Sequence, residues 1–395
     1  MINFDAIRPY NDSEINEVLR RIVASDECLD LIVSLRLPRL FALFPRLLRA
    51  VFRFYLRRKI GRIDNVLDFQ RIVEGYIERM LEHSSSGLVV TGLEHISRQS
   101  PSLLISNHRD IALDPAVVGY ALYHAQGATP RIAIGDNLLS KPFVADLMRA
   151  NKSFIVERSL GGPRELLRAL KTLSAYIAHS LHSDGESVWL AQREGRAKDG
   201  RDKTDPAVIK MLAIAKTKDE PFSNYIRRLR LLPVSVSYEY DPCDVMKARE
   251  LRCRSQQGEY TKSAHEDLLS IGRGIAGDKG RIYLHFGEPM DGCYEDAAAV
   301  AAALDRAIVT NYRIQPTHVL AYIVLHGEAA LSQLLAEGVL SEEEGCYTAD
   351  DRERFHQHIA ALSDEDTPYV LAAYANAIVH RAELSAVDAP RLSEG

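Results

Sequence analysis

The sequence predicts an α/β protein: a mixed, mostly parallel sheet flanked by helices, with helical additions at both ends. Three observations predict it. Between about 88 and 290, short apolar runs alternate with longer segments of helical period, as in strands covered by helices on both faces. Several helical segments open on Asp or Pro, as at Asp114-Pro115 and Lys141-Pro142. Asp caps free amides there, and Pro suits the first helical position. The flanking stretches read as helices. The expected organisation is therefore a helical N-terminal region, 1–85, a central domain, 86–294, and a helical C-terminal region, 295–395.

The 395 residues suffice for one large core with appendages or for two to three domains. A net charge of −5 argues against a generally basic nucleic-acid binder. Five scattered cysteines, never spaced Cys-x-x-Cys, argue against a disulfide scaffold or a cysteine zinc site. The N-terminus shows no secretory pattern, and no apolar run is long enough to predict a transmembrane helix.

Taken in order, residues 13–30 read as helix. Leu31 to Ile63 contains no acidic residue but is rich in arginine, and Pro38 and Pro45 break it into short helices. On a helical wheel Arg46, Arg49, Arg53 and Arg57 share one face, and Leu48, Val51, Phe52 and Tyr55 the opposite one. That pattern predicts a helix lying in an anionic membrane interface, arginines at the phosphates; a solvated arginine face on a core-packed helix is the alternative. Residues 64–83 form another amphipathic helix, and Ser84-Ser85-Ser86-Gly87 a turn. Strands are expected at Leu88–Thr91, Leu103–Ile105, Arg131–Gly135, Ser153–Arg158, Ser187–Ala191, Leu232–Tyr238 and Arg281–Phe286. Helices are expected at Pro115–Ala125, from Pro142 to Ala150 and at Pro163–Ser180. Gly272-Arg273-Gly274-Ile275-Ala276-Gly277 matches a dinucleotide fingerprint but follows no strand, so it reads as a loop. His179, His182 and Asp184 lack a further histidine placed to complete a metal site, and no metal is expected.

The chemistry concentrates in Ser106–Pro115, between the Leu103 strand and the Asp114-Pro115 helix start. His108 sits there with Asp110 and Asp114. A histidine oriented by a carboxylate is a minimal general base, and strand-end loops are where α/β proteins place chemistry. Three more strand-end features point the same way: Arg158, the loop opening Glu194-Gly195-Arg196, and Leu232-Pro233-Val234. Glycine permits close backbone approach to a ligand, and arginine grips phosphate bidentately. No Gly-x-Ser-x-Gly elbow is present, so a serine nucleophile is not supported.

Taken together and in this order, Asn107-His108, Phe154-Ile155-Val156-Glu157-Arg158, Glu194-Gly195-Arg196 and Leu232-Pro233-Val234 resemble the four blocks of the glycerophospholipid acyltransferases. Lys141-Pro142-Phe143 and Phe286-Gly287-Glu288-Pro289 add to the likeness, which covers about 88–290. The long basic loop ending in Lys203-Thr204 and the Gln315-Pro316-Thr317 turn lean toward the glycerol-3-phosphate branch. Two departures stand out. The family's His and Asp are separated by four residues, whereas five separate His108 from Asp114. Arg193 replaces the family's usual Pro or Val before Glu194.

The resemblance implies a glycerol-3-phosphate acyltransferase-like fold and direct transfer without a cofactor. His108 would take a proton from a hydroxyl of glycerol 3-phosphate or its 1-acyl ester. That hydroxyl would attack the thioester of acyl-CoA or acyl-carrier protein, with amides near the helix at Pro115 helping to hold the oxyanion. Pro115 favours Asp114 over Asp110 as the histidine's partner. Arg158, Glu194, Gly195 and Arg196 match the family's glycerol-phosphate positions. The expected setting is peripheral or monotopic, on the cytoplasmic side of the inner (cell) membrane. Two alternatives remain: a catalytically silent lipid-binding or membrane-tethered protein on the same fold, favoured by the extra His–Asp residue, or an acyltransferase for an amino-acid lipid.

Overall fold

The structure is a computed structural model and describes residues 2–139, 141–263 and 266–388. The strands are β1 (Leu88–Thr91), β2 (Leu103–Ser106), β3 (Arg131–Gly135), β4 (Ser153–Val156), β5 (Val188–Ala191), β6 (Leu231–Tyr238) and β7 (Ile282–Phe286). The helices are α1 (Asp12–Ala24), α2 (Asp26–Arg36), α3 (Pro38–Leu43), α4 (Pro45–Ile60), α5 (Val66–Ser84), α6 (Leu113–Gln126), α7 (Pro142–Ala150), α8 (Pro163–His182), α9 (Pro206–Leu212), α10 (Phe222–Arg228), α11 (Asp244–Gln257), α12 (Glu266–Ala276), α13 (Ala297–Asn311), α14 (Pro316–His326), α15 (Glu328–Ala336), α16 (Glu342–Gly345), α17 (Ala349–Ala360) and α18 (Thr367–Asp388). The strands form a seven-stranded sheet in the order β1-β7-β6-β2-β5-β3-β4. This is the expected α/β class.

The chain divides into two compact units, residues 1–78 with 129–188, and residues 79–128 with 189–395. In the first, β3 and β4 pair in parallel with Ile132 opposite Ser153. Helix α1 buries Ile15, Val18, Leu19 and Ile22, which pack with Phe69 and with Phe143 of α7. The helical period read over residues 13–30 is split between α1 and α2, with Ser25 capping the second.

In the second unit β2 and β6 are buried along their whole length; β2 opens as an apolar run, while Ser235 and Ser237 of β6 are buried and donate to Ile308 O and Arg313 O. The two strands pair in parallel with Leu103 opposite Leu231, while β6 and β7 run antiparallel. At the edge of the sheet β1 alternates half-buried and exposed residues. Beyond β7, helices α14 and α18 bury Val319, Leu320, Val370, Tyr374 and Ile378 around Phe355 of α17, giving the C-terminal region its own apolar cluster.

Two expectations need correction. The site helix begins at Leu113, not Pro115. Gly272–Ala276 closes helix α12 rather than forming a loop. Helices α9–α12 escape a reading by hydrophobic period because two are only seven residues long. A third, α11, has no apolar face, burying Asp244, Lys247 and Glu250 beside Ala248. Among the described residues no single helix is long and apolar enough to cross a membrane.

Candidate active site

His108 lies just beyond the C-terminal end of β2, in a loop folded by its own carboxylates. Its Nδ1 is 2.8 Å from Asp114 Oδ2. That oxygen also accepts the backbone N–H of Arg109 (2.7 Å) and of Asp110 (2.9 Å), and Asp114 Oδ1 accepts the hydroxyl of Tyr238 (2.9 Å). Asp114 is fully buried, and these donors replace the water an ionised carboxylate would lose. With Nδ1–H held by the carboxylate, the lone pair is on Nε2. The extra residue between His108 and Asp114 is absorbed by the turn that Asp114 itself ties together.

Asp110 has a different task. Its Oδ1 accepts the amides of Ala112 and Leu113, both at 2.9 Å, so it caps α6. Burial and the charge of Asp114 push its carboxyl above the usual range. Helix α12 packs so closely on it that a Cβ at Gly274 would lie 2.6 Å from Asp110 Oδ2. The amides of Arg109, Asp110, Ala112 and Leu113 are thus engaged by the two carboxylates. These four amides are therefore committed within the loop rather than to a ligand.

The loop after β5 is joined directly to His108. Gln192 N–H donates to Ser106 O (2.8 Å), and Ala197 N–H donates to the carbonyl of His108 itself (2.8 Å). Between them Glu194 and Gly195 are exposed, Gly195 in the left-handed conformation with φ 75°. Arg196 is half-buried, and its Nη1 donates to Ser270 Oγ of α12 (2.6 Å). Lys198 is paired with Glu250 and Arg201 bidentately with Glu383 (2.6 and 2.8 Å). Those two cations of the basic loop therefore serve the fold. Trp189 of β5 sets its ring edge-on to His108, with centroids 6.1 Å apart, and donates to Ser106 Oγ. The fourth block lies in β6, where Pro233 sits opposite Ile105.

Residues 87–219 match the protein family described as Acyltransferase. Dihydroxyacetone phosphate acyltransferase of Oryctolagus cuniculus is 25% identical over 199 residues, covering 50% of this chain and 27% of that protein. Glycerol-3-phosphate acyltransferase of Alteromonas mediterranea is 26% identical over 236 residues, covering 59% of this chain and 25% of that protein. Over these residues the chain is similar to glycerol-phosphate and dihydroxyacetone-phosphate acyltransferases. It spans only about a quarter of the length of the curated relatives it matches. Among solved structures, a 1-acyl-sn-glycerophosphate acyltransferase from Thermotoga maritima superposes with a TM-score of 0.37 at 15% identity, covering 75% of this chain and 94% of that one.

The second of the four sequence blocks lies in the other compact unit. Arg158 follows β4, and its backbone N–H and that of Ser159 both donate to Asp136 Oδ2, at 3.0 and 3.1 Å. Asp136 therefore fixes the turn that carries Arg158. Sequence reasoning missed Asp136, Ser270, Tyr238 and Asp202. The last was legible only as an acidic residue within a basic loop. Asp202 Oδ2 accepts from Asn107 Nδ2 (3.2 Å) and Arg109 Nη2 (2.6 Å), the two residues flanking His108.

The basic segment is rearranged relative to the expectation. Arg49 and Arg53 do not share an open face with Arg46 and Arg57. They pair with Asp30 and Asp26 of α2, acidic residues just outside the segment that lacks them. Phe52 is half-buried beside them, as are Leu48 and Leu56, while Arg46 and Arg57 are exposed. The outward side of α3 and α4 carries Leu43, Leu47, Val51 and Phe54, which are 52–69% exposed.

Proposed function

We propose that the chain is an O-acyltransferase that moves a fatty acyl group from acyl-CoA or acyl-carrier protein to a hydroxyl of glycerol 3-phosphate or a close relative of it. One observation carries the reading. The Glu194-Gly195-Arg196 loop is hydrogen-bonded to the carbonyl of His108, the residue whose imidazole is held by Asp114. A base and a cation suited to phosphate are thus on one rigid connection.

In the step as written, His108 Nε2 takes the proton of the acceptor hydroxyl as its oxygen attacks the thioester carbonyl. The C–O bond forms, the tetrahedral oxyanion collapses, the C–S bond breaks, and the imidazolium returns the proton to the leaving thiolate. Asp114 stabilises the imidazolium and holds its tautomer. Arg196 supports a phosphorylated acceptor by residue type and block position; Arg158 is a further candidate by its block position alone. The test is transfer of labelled acyl groups to glycerol 3-phosphate, dihydroxyacetone phosphate and 1-acylglycerol 3-phosphate, against a His108→Ala control. Product above that control with at least one acceptor supports the reading; none with any of them sinks it and favours a silent lipid-binding protein.

The same reading places the protein on the cytoplasmic face of the inner membrane. Its support is the exposed apolar side of α3 and α4, with exposed Arg57, Arg58 and Lys59 at the end of α4. Apolar side chains entering the interface beside cations at the phosphates is how an in-plane helix binds. Co-sedimentation with vesicles containing phosphatidylglycerol should be lost in Leu47→Glu/Phe54→Glu. Equal binding of that variant overturns the placement.

A further inference from the structure

The C-terminal helices lie outside the 87–219 family match, yet α18 reaches the loop that carries Arg196. Ala373, Asn376, His380 and Glu383 recur at helical spacing on one side of α18. Val370, Tyr374, Ala377 and Ile378 form the other side, buried in the C-terminal cluster.

Ala373, Asn376 and Glu383 meet the loop. Asn376 Nδ2 donates to Asp199 O (2.8 Å). Glu383 takes the bidentate pair from Arg201. His380 feels the charges of Asp202, Arg201 and Glu383. Gly200 has φ 77°, and a Cβ there would lie 1.8 Å from Ala373 O, so loop and helix touch backbone to backbone. The next residues of the loop turn inward. Gly200 O and Asp202 Oδ2 accept from Arg109, beside His108. A second route runs from Arg381 of α18 to Tyr312 O, and the Tyr312 ring lies 5.0 Å from the Arg109 guanidinium carbon.

We propose that α18 is a clamp on the acceptor loop, with Asn376 and Glu383 acting as positioning residues that hold 199–202 and through it Arg196. The inference rests on the reading of that loop as the acceptor-phosphate loop. It gives the C-terminal helices a part in acceptor binding although neither residue touches substrate. Arg201 belongs to the clamp rather than to the phosphate contacts, because both its terminal nitrogens are committed to Glu383.

The test uses the full chain and three variants: Asn376→Ala, Arg201→Glu, and the swapped pair Arg201→Glu/Glu383→Arg. With glycerol 3-phosphate as acceptor, each single variant should raise the acceptor KM about 5-fold, the scale of one lost hydrogen bond. The acyl-CoA KM should stay within about twofold, and the swap should restore the acceptor KM. Hydrogen exchange of the 193–204 amides should quicken in the single variants and recover in the swap. Equal rises in both KM values, or no change in KM and exchange, overturn the clamp. If the wild-type chain acylates no phosphorylated glycerol, the acceptor reading falls. Exchange then decides the clamp alone: faster exchange confined to 193–204 keeps it, and unchanged exchange removes it.

Discussion

Two histidine–carboxylate pairs in the second unit are alike in length but use different ring nitrogens, Nδ1 of His108 and Nε2 of His358. His108 meets Asp114 at 2.8 Å, and His358 meets Asp244 at 2.7 Å. Both carboxylates sit in the first turn of a helix, and each accepts a tyrosine hydroxyl, from Tyr238 and Tyr374 respectively. Their settings differ. His108 hangs from a strand-end loop whose carbonyl holds the Arg196 loop. His358 comes from α17 and packs its ring near Tyr240 and Tyr374, pinning one helix to another. A histidine–carboxylate pair alone does not distinguish a base from a structural contact; here the neighbouring elements set the two pairs apart.

That comparison can be broken at several points. The largest effect is expected from His108→Ala, a loss of about 10⁴-fold in kcat, the upper range for general base catalysis; acyl transfer within tenfold of wild type would remove His108 from the mechanism. Next comes Asp114→Asn, on the order of 10³-fold slower, because the amide still accepts the loop's N–H groups but carries no charge for an imidazolium. Asp110→Asn should stay within about tenfold of wild-type activity and resist denaturant at least as well as wild type, since it removes a buried carboxyl repelled by Asp114. A dead Asp110→Asn beside an active Asp114→Asn would reverse the assignment of the two carboxylates. Arg196→Ala should raise the KM for the phosphorylated acceptor by about 30-fold, near 2 kcal/mol, and leave the acyl-donor KM alone.

The smallest effects concern the histidines read as structural. His358→Ala should leave kcat/KM within about twofold and lower unfolding stability by about 1 kcal/mol, measured in urea. A larger loss of activity than of stability would make the second pair functional. His318, buried between Tyr312 and Tyr374, sharpens the contrast through pH. Burial and the charges of Arg109 and Arg381 press it down from 6.5 to about 3. A depressed folded value means that its contribution is whole above pH 6.5 and is lost as pH falls toward 3. Stability should therefore fall more steeply below pH 6.5 in the wild type than in His318→Gln. Parallel slopes would mean that His318 is not held neutral.

Local pattern was enough wherever a feature is local. The strand run at Leu103–Ile105 stands out because burial on both faces demands apolar side chains without alternation. His108 and Asp114 are only six residues apart, so the chain's own turn brings them together, and the extra residue shows as a longer turn rather than a broken pair. The residues that decide the rest are far apart in the chain. Arg49 finds Asp30 19 residues away, which turns the expected lipid-facing arginines inward and leaves Leu47 and Phe54 outside. Ser270 reaches Arg196 across 74 residues, and Asn376 reaches Asp199 across 177. A helical wheel assigns faces but not the neighbour a face will meet. That choice depends on which distant segments close onto one another, a cost and a geometry settled by the whole fold. The α/β framework and the His108–Asp114 pair follow from local pattern; tertiary packing decided that Lys198 and Arg201 are spent holding the site in place, because their partners Glu250 and Glu383 lie far along the chain.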